Sequence, residues 1–306
     1  MAQPTVVISE FMSEAAVARL AQAHATTYAP DLVDRPEALQ AAVAGARALI
    51  VRNRTQVGGP LLAAAPALEV VGRLGVGLDN IDVADCEARG IAVRPARGAN
   101  ADAVAEYVMA AALHLIRGRA FFATEAMRAG AWPRGDCQGR ELAGRTLGLL
   151  GYGDIARRCA RRAQAMGMAV VAHDPLVERA EGARLLTLEE LLATADVLSL
   201  HVPLTESTRG LLDAVRLARM KPDAILINTA RGGIVDEVAL SAALKAGRLG
   251  GAALDVFAVE PLDAATAEIF QDVPNLILTP HIAGVTEESN ERVSAMIAEA
   301  VLEVLG

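Results

Sequence analysis

The sequence predicts an α/β protein with two domains, each built on a doubly wound parallel sheet. The first observation is length, because 306 residues exceed the roughly 250–300 residues at which a single hydrophobic core stops growing. The second is pattern. Short, continuous apolar runs alternate with helix-length segments from end to end, which is typical of parallel strands buried on both faces.

Four apolar runs in the first hundred residues predict the strands of one sheet. They are TVVIS at 5–9, RALIVR at 47–52, LEVVGRLG at 68–75 and GIAVRP at 90–95. An amphipathic pattern over about 101–116 then predicts a helix that connects the two domains, with Asn100 as its N-cap.

Six further apolar runs predict the strands of a second sheet. They are TLGLLGYG at 146–153, MAVVAHD at 168–174, VLSLHVP at 197–203, AILINTA at 224–230, GAALDVF at 251–257 and LILTPHI at 276–282. Each run ends in small or polar residues, and a doubly wound sheet binds its ligands at the carboxyl ends of its strands. The last segment, 286–305, has helical spacing and is too short for a separate domain.

The composition argues against several functional classes. A net charge of -8 and 3% aromatic residues supply neither the basic field nor the stacking platform that nucleic-acid binding needs. The longest uncharged apolar stretch, 107–116, has about half the length that a membrane-crossing helix needs. Three cysteines cannot pair completely or form a zinc-ligand spacing, and MAQPTVVISE has no basic segment before its apolar run. We expect a cytoplasmic protein with no structural metal and no nucleic-acid or membrane partner.

A glycine-rich turn opens the second series of strands. Gly151-Tyr152-Gly153-Asp154-Ile155-Ala156 follows an apolar run and precedes a helical stretch, the context in which G-x-G-x-x-[GA] favours a dinucleotide site. The first glycine permits the tight turn, the second lets the backbone approach a pyrophosphate, and the small third residue lets helix and strand pack closely. A packing turn without nucleotide is the alternative interpretation.

The following apolar run ends in Asp174, 21 residues after Gly153. An acid at this position can accept hydrogen bonds from both hydroxyls of an adenosine ribose. It would repel a 2′-phosphate, and Pro175-Leu176-Val177 offer no arginine to bind one, so NAD is favoured over NADP. Methyltransferases also combine a glycine-rich turn with such an acid, and the later residues must decide the chemistry.

Three predicted strand ends carry groups that suit alcohol oxidation, namely Arg231, Glu260 and His281. His281 could take the hydroxyl proton while hydride leaves the same carbon for nicotinamide. Glu260 would hydrogen-bond the other ring nitrogen and fix the tautomer. Arg231 could bind a carboxylate and polarise the carbonyl that forms. Each alone is more often structural or solvated, but the three together at one sheet edge favour a dehydrogenase.

Six motifs stand in the order and spacing of the D-2-hydroxyacid dehydrogenase family: GRLGVGLDNID, GYGDIA, HVPLTESTRG, NTARGGIVDE, LDVFAVEP and TPHIAG. The chain resembles this family over nearly its whole length. The resemblance implies a Rossmann NAD-binding domain (99–285) inserted into a flavodoxin-like substrate domain (1–98 and 286–306), with catalysis in the cleft between them. It also implies a homodimer, for which we expect an interface around the connector helix and Trp132-Pro133.

The same resemblance assigns the site residues. It implies that Arg231, Glu260 and His281 are catalytic. The implied cofactor-binding residues are Gly151, Tyr152, Gly153, Asp154, Ile155, Asp174, His201, Val202, Pro203, Thr229, Ala230, Asp255, His281 and Gly284. Asp255 resembles the residue that holds the nicotinamide carboxamide, and His201-Val202-Pro203 resemble the adenine-side wall; structural roles stay open for Asp255 and His201. Gly75 and Val76 would offer backbone amides to the substrate carboxylate.

The segment VRNRTQV at 51–57 bears on the substrate. It is expected to close a strand with Arg52 and Arg54 on the same side of an extended chain and Asn53 between them, a solvated turn being the alternative. The matching segment of phosphoglycerate dehydrogenases contacts the phosphate, so the resemblance implies a second anion at C3, and phosphate and sulfonate both fit two arginines. ISEFM at 8–12, VRNRTQV, and PHIAGVTEESNERVS at 280–294 resemble sulfolactate dehydrogenases more than phosphoglycerate dehydrogenases.

Other functions stay open. A general hydroxypyruvate or glyoxylate reductase would need no second anion. NAD-sensing corepressors share the fold and the catalytic residues but carry long tails, which this chain lacks. Formate dehydrogenases use Gln where this chain has Glu260. Since 25 residues follow His281, the regulatory domain of serine-controlled phosphoglycerate dehydrogenases is not expected.

Overall fold

A computed structural model describes residues 5–306, so the first four residues of the start MAQPTVVISE lie outside the described chain. The chain divides into two compact units, Met1–Asn100 with Val285–Gly306, and Ala101–Gly284. Each unit is built on one parallel sheet, which confirms the predicted fold class. Between residues 5 and 306, the helices are all too short or too polar to cross a membrane.

The first unit contains five strands: β1 (Val6–Ile8), β2 (Thr26–Tyr28), β3 (Ala48–Val51), β4 (Val70–Arg73) and β5 (Ala92–Pro95). They form a sheet in the order β2-β1-β3-β4-β5, and all neighbours are parallel. This is the flavodoxin-type order, in which the winding direction reverses between β1 and β3. Ligands of such sheets bind where the winding reverses, so the loops after β1 and β3 are the expected ligand loops.

The second unit contains seven strands: β6 (Thr146–Leu150), β7 (Ala169–His173), β8 (Arg184–Leu185), β9 (Val197–Leu200), β10 (Ile225–Asn228), β11 (Gly251–Leu254) and β12 (Leu276–Leu278). They form a parallel sheet in the order β12-β11-β10-β9-β6-β7-β8. This is the Rossmann order with one additional strand, and its winding reverses between β6 and β9.

An α-helix follows every strand of the described chain except β7. The α-helices are α1 (Glu14–Ala23), α2 (Pro36–Val43), α3 (Gly59–Ala64), α4 (Val83–Ala88), α5 (Ala101–Ile116), α6 (Thr124–Arg128), α7 (Asp154–Ala165), α8 (Leu188–Thr194), α9 (Ala214–Leu217), α10 (Glu237–Lys245), α11 (Ala264–Ala267) and α12 (Glu287–Leu305). The connector helix α5 has the predicted range. Its predicted N-cap is wrong, because Asn100 Oδ1 accepts no hydrogen bond from the described residues.

Alternating strand residues build two apolar layers on the larger sheet. Leu147, Val197 and Ile225 belong to the layer that contains α5 and α7, whereas the adjacent Leu198 and Leu226 belong to the layer that contains α8 and α10. Because both faces are covered, these strands are apolar at successive positions. Each fully buried side chain of this kind contributes about 1.5–3 kcal/mol of transfer free energy, which holds the strand ends and their loops in place.

Candidate active site

The glycine-rich turn lies where the winding of the larger sheet reverses. Gly151 follows β6 with φ of 89°, and a Cβ built on it would lie 2.6 Å from the carbonyl oxygen of His201. Only glycine therefore allows the turn to lie so close to the loop after β9. Gly153 precedes α7, and Asp154 and Ile155 form its first turn. The amides and the dipole of a helix N-terminus favour an anion such as a pyrophosphate, so this turn could hold one.

Asp174 lies beside this turn at the end of β7. Its Oδ2 accepts a hydrogen bond from the Tyr152 N–H (2.8 Å) and its Oδ1 accepts one from the Leu176 N–H (2.9 Å). The carboxylate is thus fixed next to the glycine-rich turn, as an acid that binds ribose requires. The Tyr152 side chain is fully buried and its hydroxyl donates to the Glu181 carbonyl, so only its backbone is available to a ligand.

His201 and Thr229 lie on the next two loops along the sheet. Burial lowers the pKa of His201 to about 4, and its Nε2 lies 3.0 Å from Ser199 Oγ, so the ring is neutral. The half-buried Val202 and the exposed Pro203 follow. Thr229 Oγ1, after β10, is buried and has no hydrogen-bond partner among residues 5–306, although a buried hydroxyl ordinarily has one.

Arg231 is held by the loop after β10. The Asn228 side chain donates to the Arg231 carbonyl (2.9 Å) and accepts from the Ala230 N–H (3.0 Å). A Cβ on Gly232 would lie 1.7 Å from the Phe257 carbonyl oxygen, so this loop touches the backbone after β11. The loop order thus places Arg231 beside the segment that carries Glu260.

Glu260 and His281 form a direct pair. His281 Nδ1 lies 2.8 Å from Glu260 Oε2, and Glu260 Oε1 accepts from the Phe257 N–H at 2.9 Å. Burial acts to raise the pKa of Glu260, but hydrogen bonds from His281 and Phe257 together with the charges of His281 and Arg231 outweigh burial and hold that pKa below its ordinary value. Since an ionised carboxylate only accepts, His281 Nδ1 carries a proton and Nε2 is the nitrogen open to a substrate.

Asp255 ties the His281 loop to the end of β11. Its carboxylate accepts hydrogen bonds from the Thr279 hydroxyl (2.6 Å) and from the N–H groups of Ile282 and Ala283 (both 2.8 Å). Asp255 therefore has a structural role, one of the two interpretations that the sequence left open. The nearby Gly284 is the last residue of this unit.

In the other unit, a buried carboxylate organises the loop after β3. Glu10, which follows β1 and is 5% exposed, accepts hydrogen bonds from four consecutive backbone N–H groups, those of Arg52, Asn53, Arg54 and Thr55, at 2.9–3.3 Å. The loop bends around Glu10, so the expected extended chain is wrong here. This loop lies where the smaller sheet reverses its winding, as expected for a ligand loop.

The two arginines of this loop differ in their surroundings. The Arg52 Nη2 donates to Asn290 Oδ1 (2.7 Å), and the guanidinium carbon lies 5.9 Å from the centroid of the Phe11 ring. Burial lowers the pKa of Arg52, against the opposing charge of Glu10. Arg54 instead forms an exposed ion pair with Asp34. Arg52 is thus the desolvated cation of the pair, in the setting where a charged hydrogen bond contributes most.

The loop after β4 contains Gly75 and Val76, whose backbone N–H groups were both predicted to bind the substrate carboxylate, and one of the two N–H groups is open to a ligand. The Gly75 N–H donates to the Arg73 carbonyl at 2.7 Å, whereas the N–H of Val76 has no hydrogen bond within the described chain.

Glu10 and Asn290 lie in the segments 8–12 and 280–294, which resemble sulfolactate dehydrogenases, but that resemblance assigned neither residue a role. Glu10 and Asn290 contact the Arg52 loop from sequence distances of 42 and 238 residues. Thr279 lies two residues before His281 in the sequence, and this proximity is the feature that could have indicated a role for Thr279 in the site.

The residues of the larger unit fit a nicotinamide dinucleotide. The turn at Gly151 has no room for a side chain, Asp174 is fixed beside it, and the Thr229 hydroxyl has no partner within residues 5–306. Together with the Glu260–His281 pair, they define the class of the protein, an oxidoreductase that uses a nicotinamide cofactor.

Comparisons with known proteins agree with this class. Residues 109–283 match the model of the D-isomer specific 2-hydroxyacid dehydrogenase NAD-binding domain. The chain is 54% identical to the (S)-sulfolactate dehydrogenase of Chromohalobacter salexigens, covering 98% of each protein. It is 41% identical to the D-3-phosphoglycerate dehydrogenase of Mycobacterium leprae, covering 97% of this chain and 56% of that one.

A solved structure with a bound cofactor is also similar. The D-lactate dehydrogenase of Aquifex aeolicus, in complex with NAD and lactic acid, has a TM-score of 0.85 and 28% identity, covering 98% of this chain and 95% of that one. The chain belongs to the D-isomer specific 2-hydroxyacid dehydrogenase family. It is an NAD-dependent oxidoreductase that acts on small 2-hydroxy acids, which confirms the predicted class of function.

Proposed function

We propose that this dehydrogenase oxidises C2 of a D-configured 2-hydroxy acid that carries a second anion at C3, with (S)-3-sulfolactate as the first candidate and 3-phosphoglycerate as the second. The observation that carries the proposal is the desolvated Arg52, which is held by Asn290 and Phe11 on a loop built around Glu10. The similarity to a sulfolactate dehydrogenase over 98% of both chains supports the order of the candidates. Sulfur outranks the carboxylate in naming, so (S)-sulfolactate has the arrangement of a D-hydroxy acid.

We propose the following roles for the catalytic residues. When bound, the nicotinamide accepts hydride from C2 of the substrate. His281 Nε2 takes the proton of the C2 hydroxyl, while Glu260 holds Nδ1 and stabilises the imidazolium. Arg231 binds the substrate carboxylate and stabilises the developing carbonyl. The Val76 N–H, and the backbone at Gly75, contribute to binding of that carboxylate.

For the cofactor we propose NAD rather than NADP. Asp174 would accept the ribose hydroxyls, and its negative charge disfavours a 2′-phosphate. We place the pyrophosphate at Gly151–Ile155, the adenine against His201–Pro203, and the nicotinamide near Thr229, Ala230, Asp255 and Gly284. The buried Thr229 hydroxyl, which finds no partner in the part of the chain that the structure describes, supports this placement.

The test is a screen of NAD reduction with five acids: 3-sulfolactate, 3-phosphoglycerate, D-glycerate, D-lactate and malate. We expect the highest kcat/KM with one of the first two. Preference for D-glycerate or D-lactate would contradict the second-anion proposal and favour a hydroxypyruvate or glyoxylate reductase. Absence of turnover with all five acids would contradict the proposed reaction and favour an NAD-sensing corepressor.

Two arginine variants test the second-anion site. Replacing Arg52 by Ala removes a desolvated charged hydrogen-bond donor, which is worth about 1.5–3 kcal/mol. We therefore expect KM for the doubly anionic substrate to rise roughly 10- to 150-fold, with little change for D-lactate. Arg54→Ala should have a smaller effect because Asp34 already pairs with Arg54. The control is Arg19→Ala, which breaks only the exposed ion pair with Glu299; an equal KM change for D-lactate would refute the assignment.

We also propose a cytoplasmic homodimer. All three cysteines are free, which suits a reducing compartment. Large apolar side chains are exposed around α5 and α6, including Phe121, Phe122 and Trp132, the last at 76%. Exposed large apolar side chains are typical of a protein interface, and we assign these to contact with a second copy of the chain.

A further inference from the structure

A hydrogen-bond chain begins on α5 and ends at the loop that carries His281. The Tyr107 hydroxyl lies 2.6 Å from Thr279 Oγ1, and the Thr279 hydroxyl donates to Asp255 Oδ1 at 2.6 Å. A hydroxyl has one proton to donate. Because Thr279 gives its proton to the carboxylate, it accepts the proton of Tyr107, and the direction of the chain is fixed.

Asp255 connects this hydrogen-bond chain to the backbone of the loop that carries His281. The same Oδ1 accepts from the Ile282 N–H, and Oδ2 accepts from the Ala283 N–H. His281 lies between Thr279 and Ile282 with φ of 56°, a left-handed conformation that is unfavourable for a residue with a side chain. Hydrogen bonds on both sides of His281 therefore hold it in a conformation that it would not adopt unaided.

The Tyr107 hydroxyl is suited to a permanent donor role. Burial raises the pKa of Tyr107, the hydrogen bond with Thr279 acts against this effect, and the charge of Asp255 adds to it. The phenol thus stays protonated at neutral pH. The ring packs against the apolar layer that contains α5 and α7, and a phenylalanine would preserve this packing.

We propose that Tyr107 is a positioning residue for catalysis, which acts through Thr279 and Asp255 to keep the His281 imidazole on Glu260. The inference rests on the proposed role of His281 as the base. Tyr107 touches neither His281 nor Glu260 through any hydrogen bond of the described chain. Because Tyr107 acts on the loop that carries His281, its effect should appear in the rate of the chemical step.

The experiment compares Tyr107→Phe, Thr279→Val and Thr279→Ser with the wild type. Tyr28→Phe is the matched control, because the Tyr28 hydroxyl makes only a 3.5 Å contact with the Met12 N–H in the other unit. The readouts are kcat, KM for NAD, and the primary isotope effect with the acid that the wild type oxidises fastest, deuterated at C2. A fourth readout needs no turnover: the ring resonances of His281 in protein labelled with ¹⁵N-histidine.

In Tyr107→Phe we expect kcat to fall roughly tenfold, as for the loss of one buried hydrogen bond, with an unchanged KM for NAD. The isotope effect on kcat should rise because proton and hydride transfer become slower, and the His281 resonances should shift. Thr279→Val should lose at least as much, Thr279→Ser should retain most activity, and Tyr28→Phe should match the wild type.

An unchanged isotope effect and unchanged His281 resonances in Tyr107→Phe would overturn the inference, even if the variant were less stable, because they would assign Tyr107 a purely structural role. Failure of the proposed function has a different signature. A wild type that oxidises none of the five acids would contradict that function, and the His281 resonances would still decide whether Tyr107 positions the ring.

Discussion

The imidazole of His281 is oriented by contacts on both sides of its own residue. Glu260 binds Nδ1, while Asp255 binds the backbone that follows. These contacts leave Nε2 as the ring nitrogen for the proton transfer that we propose.

Replacing His281 by Ala should lower kcat by about 10²- to 10⁴-fold, the usual contribution of a general base. The Kd for NADH should change little, because the glycine-rich turn and Asp174 are untouched. Steady-state kinetics and NADH fluorescence titration measure the two effects. His24→Ala, on the other unit, serves as the control, and a retained rate in His281→Ala would refute the assignment.

His201 makes stability depend on pH. Its pKa is near 6.5 in the unfolded chain and about 4 in the fold, so between these values the unfolded chain binds more protons and stability falls as the pH is lowered. The contribution is fully present above pH 6.5. Between pH 7.5 and 5 the wild type should lose about 2 kcal/mol of unfolding free energy.

Urea unfolding at several pH values measures this loss, and His201→Gln should reduce it. The lowered pKa of Glu260 acts in a separate window, because its stabilisation is lost only as the pH falls below the ordinary value of 4.5. A variant with the same pH dependence as the wild type would contradict the role of His201.

Sequence motifs predicted the residues to which we assign the chemistry but not the residues that support them. Thr279 is a partner of Tyr107 at a separation of 172 residues, and local sequence carries no signal for such a contact. Arg52 and Arg54 look equivalent in VRNRTQV, and only folding reveals that Asp34 pairs with one and Asn290 with the other.

At the scale of elements, continuous apolar runs predicted ten of the strands, and the exceptions have a physical reason. β2 (TTY) is short, half-exposed and at the edge of its sheet, and β8 has two residues. Neither buries two faces, so neither needs an apolar run. The apolar runs also did not predict the order of the strands in each sheet, because that order depends on which helices cover which face.

The turn after β6 allows a prediction about stability, because Gly151 has no room for a side chain. Gly151→Ala should destabilise the protein by more than the roughly 1–2 kcal/mol that a left-handed conformation costs, because the new Cβ would also collide with the His201 carbonyl. NADH affinity should fall with it. Thermal unfolding and NADH titration measure both.

The control lies in the same turn. Gly153 has open space around a built Cβ and no positive φ, so Gly153→Ala should leave the unfolding temperature nearly unchanged. Equal destabilisation by the two substitutions would contradict the packing argument.

For the whole molecule, we expect the exposed aromatic side chains to govern the proposed assembly. Trp132→Glu combined with Phe121→Glu should convert the proposed dimer into a monomer, because burial of a charge without a partner is costly. Light scattering after size exclusion measures the mass. Val215→Glu, at an exposed apolar position on α9, should leave the mass unchanged, and a wild-type monomer would contradict the proposal.

The route of the chain has an evolutionary consequence. The residues that we assign to hydride and proton transfer all lie in one uninterrupted stretch, Ala101–Gly284. The residues of the proposed second-anion site, Glu10, Arg52 and Asn290, lie in the segments that flank it. Under the roles that we propose, selection for a new acid can act on the flanking segments while the residues proposed for hydride transfer stay unchanged. Recombination at the two points where the chain passes between the units would exchange the flanking segments and leave the larger unit unchanged.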